Sequence, residues 1–154
     1  QGNVVIEDNE FRAEDTAGAG KGVNIWGGYP DFLTVKNNFF YGQFDTVGDT
    51  SDGGAAIGQD TTDTADTNFS GLLIKDNVIV STDTAVGAAI RFSAGYTIRG
   101  MVTGNHIYSY DSAGTDTVIA ALPSIGAIHN FLRRSDTTEK LIGQDAVKFT
   151  DSGN

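Results

Sequence analysis

The 154-residue chain contains no cysteine, so a disulfide scaffold and a thiolate metal site are both excluded, and redox chemistry says nothing about compartment. It has a single methionine against twenty glycines, far from the Ala-, Leu-, Glu- and Lys-rich composition of a helical bundle. No apolar run approaches the roughly 20 residues of a membrane-spanning helix. Basic residues are scarce, since 10 Lys and Arg face 20 Asp and Glu and leave a net charge of −10. That balance opposes a phosphate backbone and argues against nucleic acid as a partner. What remains is a length sufficient for one domain with a buried core.

What the chain does have is a repeat. Five segments, 4–16, 33–46, 72–84, 100–112 and 125–137, align on Asn9, Asn38, Asn77, Asn105 and Asn130. Two residues after each Asn stands a large apolar residue: Phe11, Phe40, Ile79, Ile107 and Leu132. An Asp followed by Thr or Ser closes each segment, at Asp15, Asp45, Asp83, Asp111 and Asp136. A shorter motif alternates with this one, centred on Ile25, Ile57, Ile90, Ile119 and Val147.

Short in-out strands bounded by Asn, Asp and Gly, with no helical period, predict an all-β chain. A unit this small cannot bury its apolar face alone, so units stack and equivalent positions line up. The alignment places Val4, Ile6 and Phe11 beneath Leu33, Val35 and Phe40, and these beneath Leu72, Ile74 and Ile79. The Asn column is read as structural: Asn tolerates the left-handed bend between two strands, and its amides can bond from unit to unit. The Asp-Thr pairs suit Asx turns.

The I-x-x-N-x-[FI] bend, as in Ile74 to Ile79, resembles the right-handed parallel β-helix of the pectate-lyase-like superfamily. That superfamily includes bacteriophage tailspikes, polysaccharide lyases, glycoside hydrolases and alginate epimerases. The resemblance covers nearly the whole chain and implies a single all-β solenoid domain of about five coils at about 4.8 Å each. It implies a carbohydrate-engaging spike, extracellular or on a virion tail, that binds and in some members depolymerises bacterial surface polysaccharide. Such spikes are typically homotrimers. The family's N-terminal capping helix has no counterpart before Val4, so a segment of a longer spike is expected. The alternative is a purely structural stalk or filament segment, for which the repeat alone suffices.

Candidate chemistry lies where the repeat is interrupted, at 26–32 and 58–70. Trp26, Tyr29 and Phe32 in GGYPDF form an aromatic turn suited to stacking on sugar rings, with Asp31 beside it as an acceptor. A loop aromatic tucked over the core is the plainer reading. Glycoside hydrolysis needs paired carboxylates, and Asp31 or the group Asp45, Asp49 and Asp52 are the catalytic candidates. A lyase would want a cation beside an acidic sugar, and Arg91 and Lys148 are expected to point outward; Arg91 joins Trp26 and Tyr29 as a carbohydrate-binding candidate. Asp60, Asp63 and Asp66 carry oxygen donors for a hard cation such as calcium, although a solvated acidic loop needs no ion. No other cofactor is implied. His106 and His129 adjoin ladder asparagines in different units and read as surface or turn residues rather than a metal pair.

The outward positions are unexpectedly apolar. Val5, Leu73 and Met101, interrupted by Thr34 and Gly126, precede the Asn, and Phe39, Tyr41, Val78, Val80, Tyr108 and Phe131 follow it. A contiguous apolar strip marks an interface and agrees with the trimer that the resemblance implies.

Overall fold

The computed structural model describes residues 2–13, 22–25, 31–42, 44, 55–59, 69–80, 89–92, 98–108, 119–120, 125–128, 130–133, 143–144 and 147–148. These form β1 (Asn3–Glu7), β2 (Glu10–Ala13), β3 (Val23–Ile25), β4 (Phe32–Lys36), β5 (Phe39–Gly42), β6 (Ile57–Gln59), β7 (Phe69–Lys75) and β8 (Val78–Val80). The chain continues through β9 (Ile90–Arg91), β10 (Ile98–Thr103), β11 (His106–Tyr108), β12 (Ile119–Ala120), β13 (Ile125–Ile128), β14 (Phe131–Arg133), β15 (Gly143–Gln144) and β16 (Val147–Lys148). There is no helix among the described residues.

Strands β1, β4, β7, β10 and β13 form one parallel sheet, and β2, β5, β8, β11 and β14 a second. A third parallel sheet contains β3, β6, β9 and β12. Each strand of these three sheets therefore pairs with its counterpart in a neighbouring repeat, and the rest of the unit supplies the crossover that parallel pairing demands.

Register follows the repeat. Val4, Leu33 and Leu72 pair in turn, and Ile6, Val35, Ile74 and Val102 form the next inward column. In the second sheet Phe11, Phe40, Ile79, Ile107 and Leu132 line up. Buried side chains from all three sheets meet in one apolar cluster that includes Val23, Val35, Phe40, Ile57, Ile74, Ile79, Ile90 and Ile107. The half-buried Phe11 packs against it, stacked on Phe40 with centroids 4.6 Å apart and planes 6° apart.

Three expectations need correction. In the third sheet Ile57 pairs with Val23 rather than Ile25; a shift of two residues keeps the inward face, so both registers bury an apolar residue. The last copy of the short motif does not extend this sheet. Instead β16 pairs antiparallel with β15, Gly143 with Lys148 and Gln144 with Val147, a local pairing with little loop to close. The interruptions at 26–32 and 58–70 are also shorter than read, because Phe32 begins β4, Gly58 and Gln59 belong to β6, and Phe69 and Ser70 begin β7.

The asparagines carry the bend between the first two sheets. The main-chain N–H and Nδ2 of Asn9, Asn38, Asn77 and Asn105 each donate to Oδ1 of the next Asn, at 2.9–3.2 Å. Their amides also donate to strand carbonyls, Asn38 to Ile6 at 2.9 Å and Asn77 to Val35 at 3.0 Å. Asn38, Asn77, Asn105 and Asn130 are buried, so these bonds satisfy polar groups that water does not reach. The left-handed residue is not the Asn but the one before it: Asp8, Asn37, Asp76 and Gly104 have φ of 57°, 54°, 54° and 67°. Asp, Asn and Gly are the residues that accept this region.

At the end of β5, Gly42 has φ 124°, and a Cβ there would run into the Ala13 carbonyl. Gly42→Ala is expected to lower the unfolding free energy by about 2–3 kcal/mol, the scale of one strained backbone position. Urea denaturation checks it.

Candidate functional site

Side chains alternate along a strand, so turning Phe11, Phe40, Ile79 and Ile107 inward turns their neighbours to the outside. On the second sheet those neighbours form two rows. One row reads Glu10, Phe39, Val78, His106, Phe131, and the other Arg12, Tyr41, Val80, Tyr108.

Rings dominate this outer face. Phe39, Tyr41 and Phe131 are 37%, 41% and 40% exposed, and His106 is also exposed. Phe39 and Tyr41 lie side by side with centroids 6.2 Å apart and planes 17° apart. His106 and Tyr108 form a second pair at 6.5 Å and 25°. Phe131 packs on both, 5.5 Å from His106 and 5.9 Å from Tyr108. Between the two ring groups stand only the half-buried Val78 and Val80, which are shorter. The face is therefore notched at the third unit. The notch is floored by valine methyl groups and walled by rings about two strand spacings apart, roughly 10 Å.

Charge on the face is balanced at one end. Arg12 Nη2 lies 2.6 Å from Glu10 Oε1, and the guanidinium sits 5.9 Å from the Tyr41 ring centroid. The first sheet differs. Its outer row of Val5, Thr34, Leu73 and Met101 is aliphatic but for Thr34, with Val5 and Met101 exposed. Phe32, 55% exposed, lies across Gly71. At its rim, Lys36 Nζ is 2.6 Å from Glu7 Oε2, and this hydrogen bond and charge hold the ammonium above its usual pKa of 10.5.

Of the residues singled out in the sequence, Asp31 is exposed at the start of β4. Arg91 is half-buried on β9, next to the buried Ile90 and in register with Gly58 and Ala120. The structure does not bring these two onto the ring-lined face. Trp26, Tyr29, Asp45, Asp49, Asp52, Asp60, Asp63, Asp66, His129 and the Asp-Thr pairs lie outside the described residues. Among the described residues no group of three or more His, Cys, Asp or Glu could hold a metal ion. The grouping of His106 with Phe131 and Tyr108 was not anticipated. The sequence signal for it is that all three stand one or three residues after a ladder Asn.

The comparisons with known proteins leave these faces to be interpreted on their geometry: no protein family, curated protein or solved structure matches the chain.

Proposed function

We propose that this chain is a right-handed parallel β-helix, of the kind found in the pectate-lyase-like superfamily, whose ring-lined outer face binds polysaccharide. The observation that carries the functional reading is the exposure of Phe39, Tyr41, His106 and Phe131 on one sheet face. Rings rigidly held on a β scaffold offer sugar C–H faces a π surface, and tyrosine hydroxyls offer hydrogen bonds, at small entropic cost. The repeated strand order and the asparagine ladder support the β-helix. A spike on a virion tail or another extracellular surface is the setting in which such a face meets bacterial polysaccharide.

The aliphatic outer face of the first sheet favours a second element of this reading. Val5, Met101 and Phe32 offer no polar handle for a sugar and suit contact with further copies of the chain, as in a homotrimer. Depolymerisation, for which Asp31 is the described candidate, is the extension to test once binding is established.

Titration against an array of bacterial surface polysaccharides, neutral and acidic, tests the binding reading. Tyr108→Ala is expected to weaken the bound glycan by about 1–3 kcal/mol, the scale of one buried aromatic side chain, and to leave Tm unchanged. An array with no bound glycan overturns the reading and favours a structural stalk.

A further inference from the structure

Resting on the polysaccharide reading, we infer that the notch over Val78 and Val80 is the seat for a single ring of an uncharged, linear glycan that crosses the strands of the second sheet. Three observations lead there. The first is size. The notch lies between the Phe39–Tyr41 pair and the His106–Tyr108–Phe131 group, whose strands are separated by two spacings, roughly 10 Å. One sugar ring fits that gap.

Direction is the second. The ring groups succeed one another across the strands rather than along them, so a ligand that touches both must run along the stacking direction. An extended glycan advances by close to one strand spacing per sugar. It therefore presents one residue to the notch while its neighbours on either side meet the two ring groups.

The third observation is charge. The only acid in the described part of this face is Glu10, and Arg12 holds it at 2.6 Å. The chain as a whole carries −10, and such a field opposes the approach of a polyanion. Among the described side chains of this face the two charges, Arg12 and Glu10, pair with each other. Such a face on an acidic body matches a neutral ligand, whose hydroxyls bond to tyrosine and whose C–H groups meet valine and the rings.

The test uses the full chain with cellohexaose, mannohexaose and N-acetylchitohexaose, read by calorimetry. At least one is expected to bind with an affinity that does not change with added salt. Val80→Tyr raises the notch floor to the height of its walls and is expected to weaken binding by roughly tenfold or more, as filling a seat does. Val80 points outward, so Tm is expected to hold; if Val80→Tyr fails to fold, Val80→Phe or Val78→Phe fills the same space. Unchanged or tighter binding by the filled variants overturns the notch and leaves a flat ring platform, with the polysaccharide reading intact. Binding confined to acidic polysaccharides on the wider array overturns the neutral assignment in the same way. Only the absence of any bound glycan removes both.

Discussion

Asn77→Ala is expected to lower the unfolding free energy by about 3–5 kcal/mol, among the larger losses a single polar residue can produce. Asn77 is fully buried. Its Oδ1 accepts from Asn38 N at 3.0 Å and Asn38 Nδ2 at 3.1 Å, and its Nδ2 donates to Val35 O at 3.0 Å and Asn105 Oδ1 at 2.9 Å. Alanine leaves the buried Asn38 N–H without this acceptor, at about 1–3 kcal/mol before relaxation, and opens a void in the column. It also takes one bond each from Val35 O, Asn38 Nδ2 and Asn105 Oδ1, of which Asn38 Nδ2 keeps the Ile6 and Lys36 carbonyls and Asn105 Oδ1 keeps the main-chain N–H of residue 77. Asn9→Ala is the control. Asn9 is exposed, water replaces what it loses, and the expected cost is about 1 kcal/mol or less. Urea denaturation of the two variants checks the contrast. Equal losses would mean that the ladder follows the fold without determining it.

Ile74→Asp is expected to be more damaging. Ile74 is fully buried on β7, in register between Val35 and Val102. A carboxylate there has no partner, so it is either desolvated as an anion or neutralised by taking up a proton. Either way the loss exceeds about 4 kcal/mol, comparable to the whole stability of a marginal domain at about 5–15 kcal/mol. The neighbouring Leu73→Asp places the same group on the outer face, with an expected cost of about 1–2 kcal/mol. Circular dichroism against temperature reads both. If the two variants melt together, the division into inward and outward faces is wrong.

Much of the scaffold was legible because stacking demands identity at matched positions. The five asparagines, the inward columns of the first two sheets and the apolar outer strip all stand at fixed distances from the Asn, and the register reproduces those distances. Two of the misreadings share one cause, a physical tie between two residues. Val23 and Ile25 are both apolar and two apart, so periodicity alone cannot say which meets Ile57. The left-handed position was assigned to the Asn when Asp8, Asn37, Asp76 and Gly104, one residue earlier, hold it. All of these residue types tolerate it.

The candidate sites were harder to read for the opposite reason. Trp26, Tyr29, Asp49 and Asp52 fall in segments that recur at no fixed offset, and without a period nothing in the sequence ties them to a neighbour. The ring-lined face could be found because its residues are periodic. Its resolution into a ring-bearing sheet and an aliphatic one required the topology. Phe32 shows the difference: it reads as part of an aromatic loop with Trp26, yet as the first residue of β4 it lies across Gly71 on the aliphatic side.

The asparagine column also has a sense of direction. Every paired side-chain oxygen in it is approached by the donors of the unit before. The main-chain bonds just after the Asn run oppositely, from Val78 to Asn38 and from His106 to Asn77, and those just before it run with the column, from Asn37 to Lys75 and from Asp76 to Thr103. The two ends of such a column are chemically unlike. Two columns brought together by a twofold axis would set oxygen against oxygen at one end and donor against donor at the other. Any lengthening through the ladder is therefore head to tail, a heterologous contact that does not close on itself. Rotational assemblies have to be built from the sides of the stack.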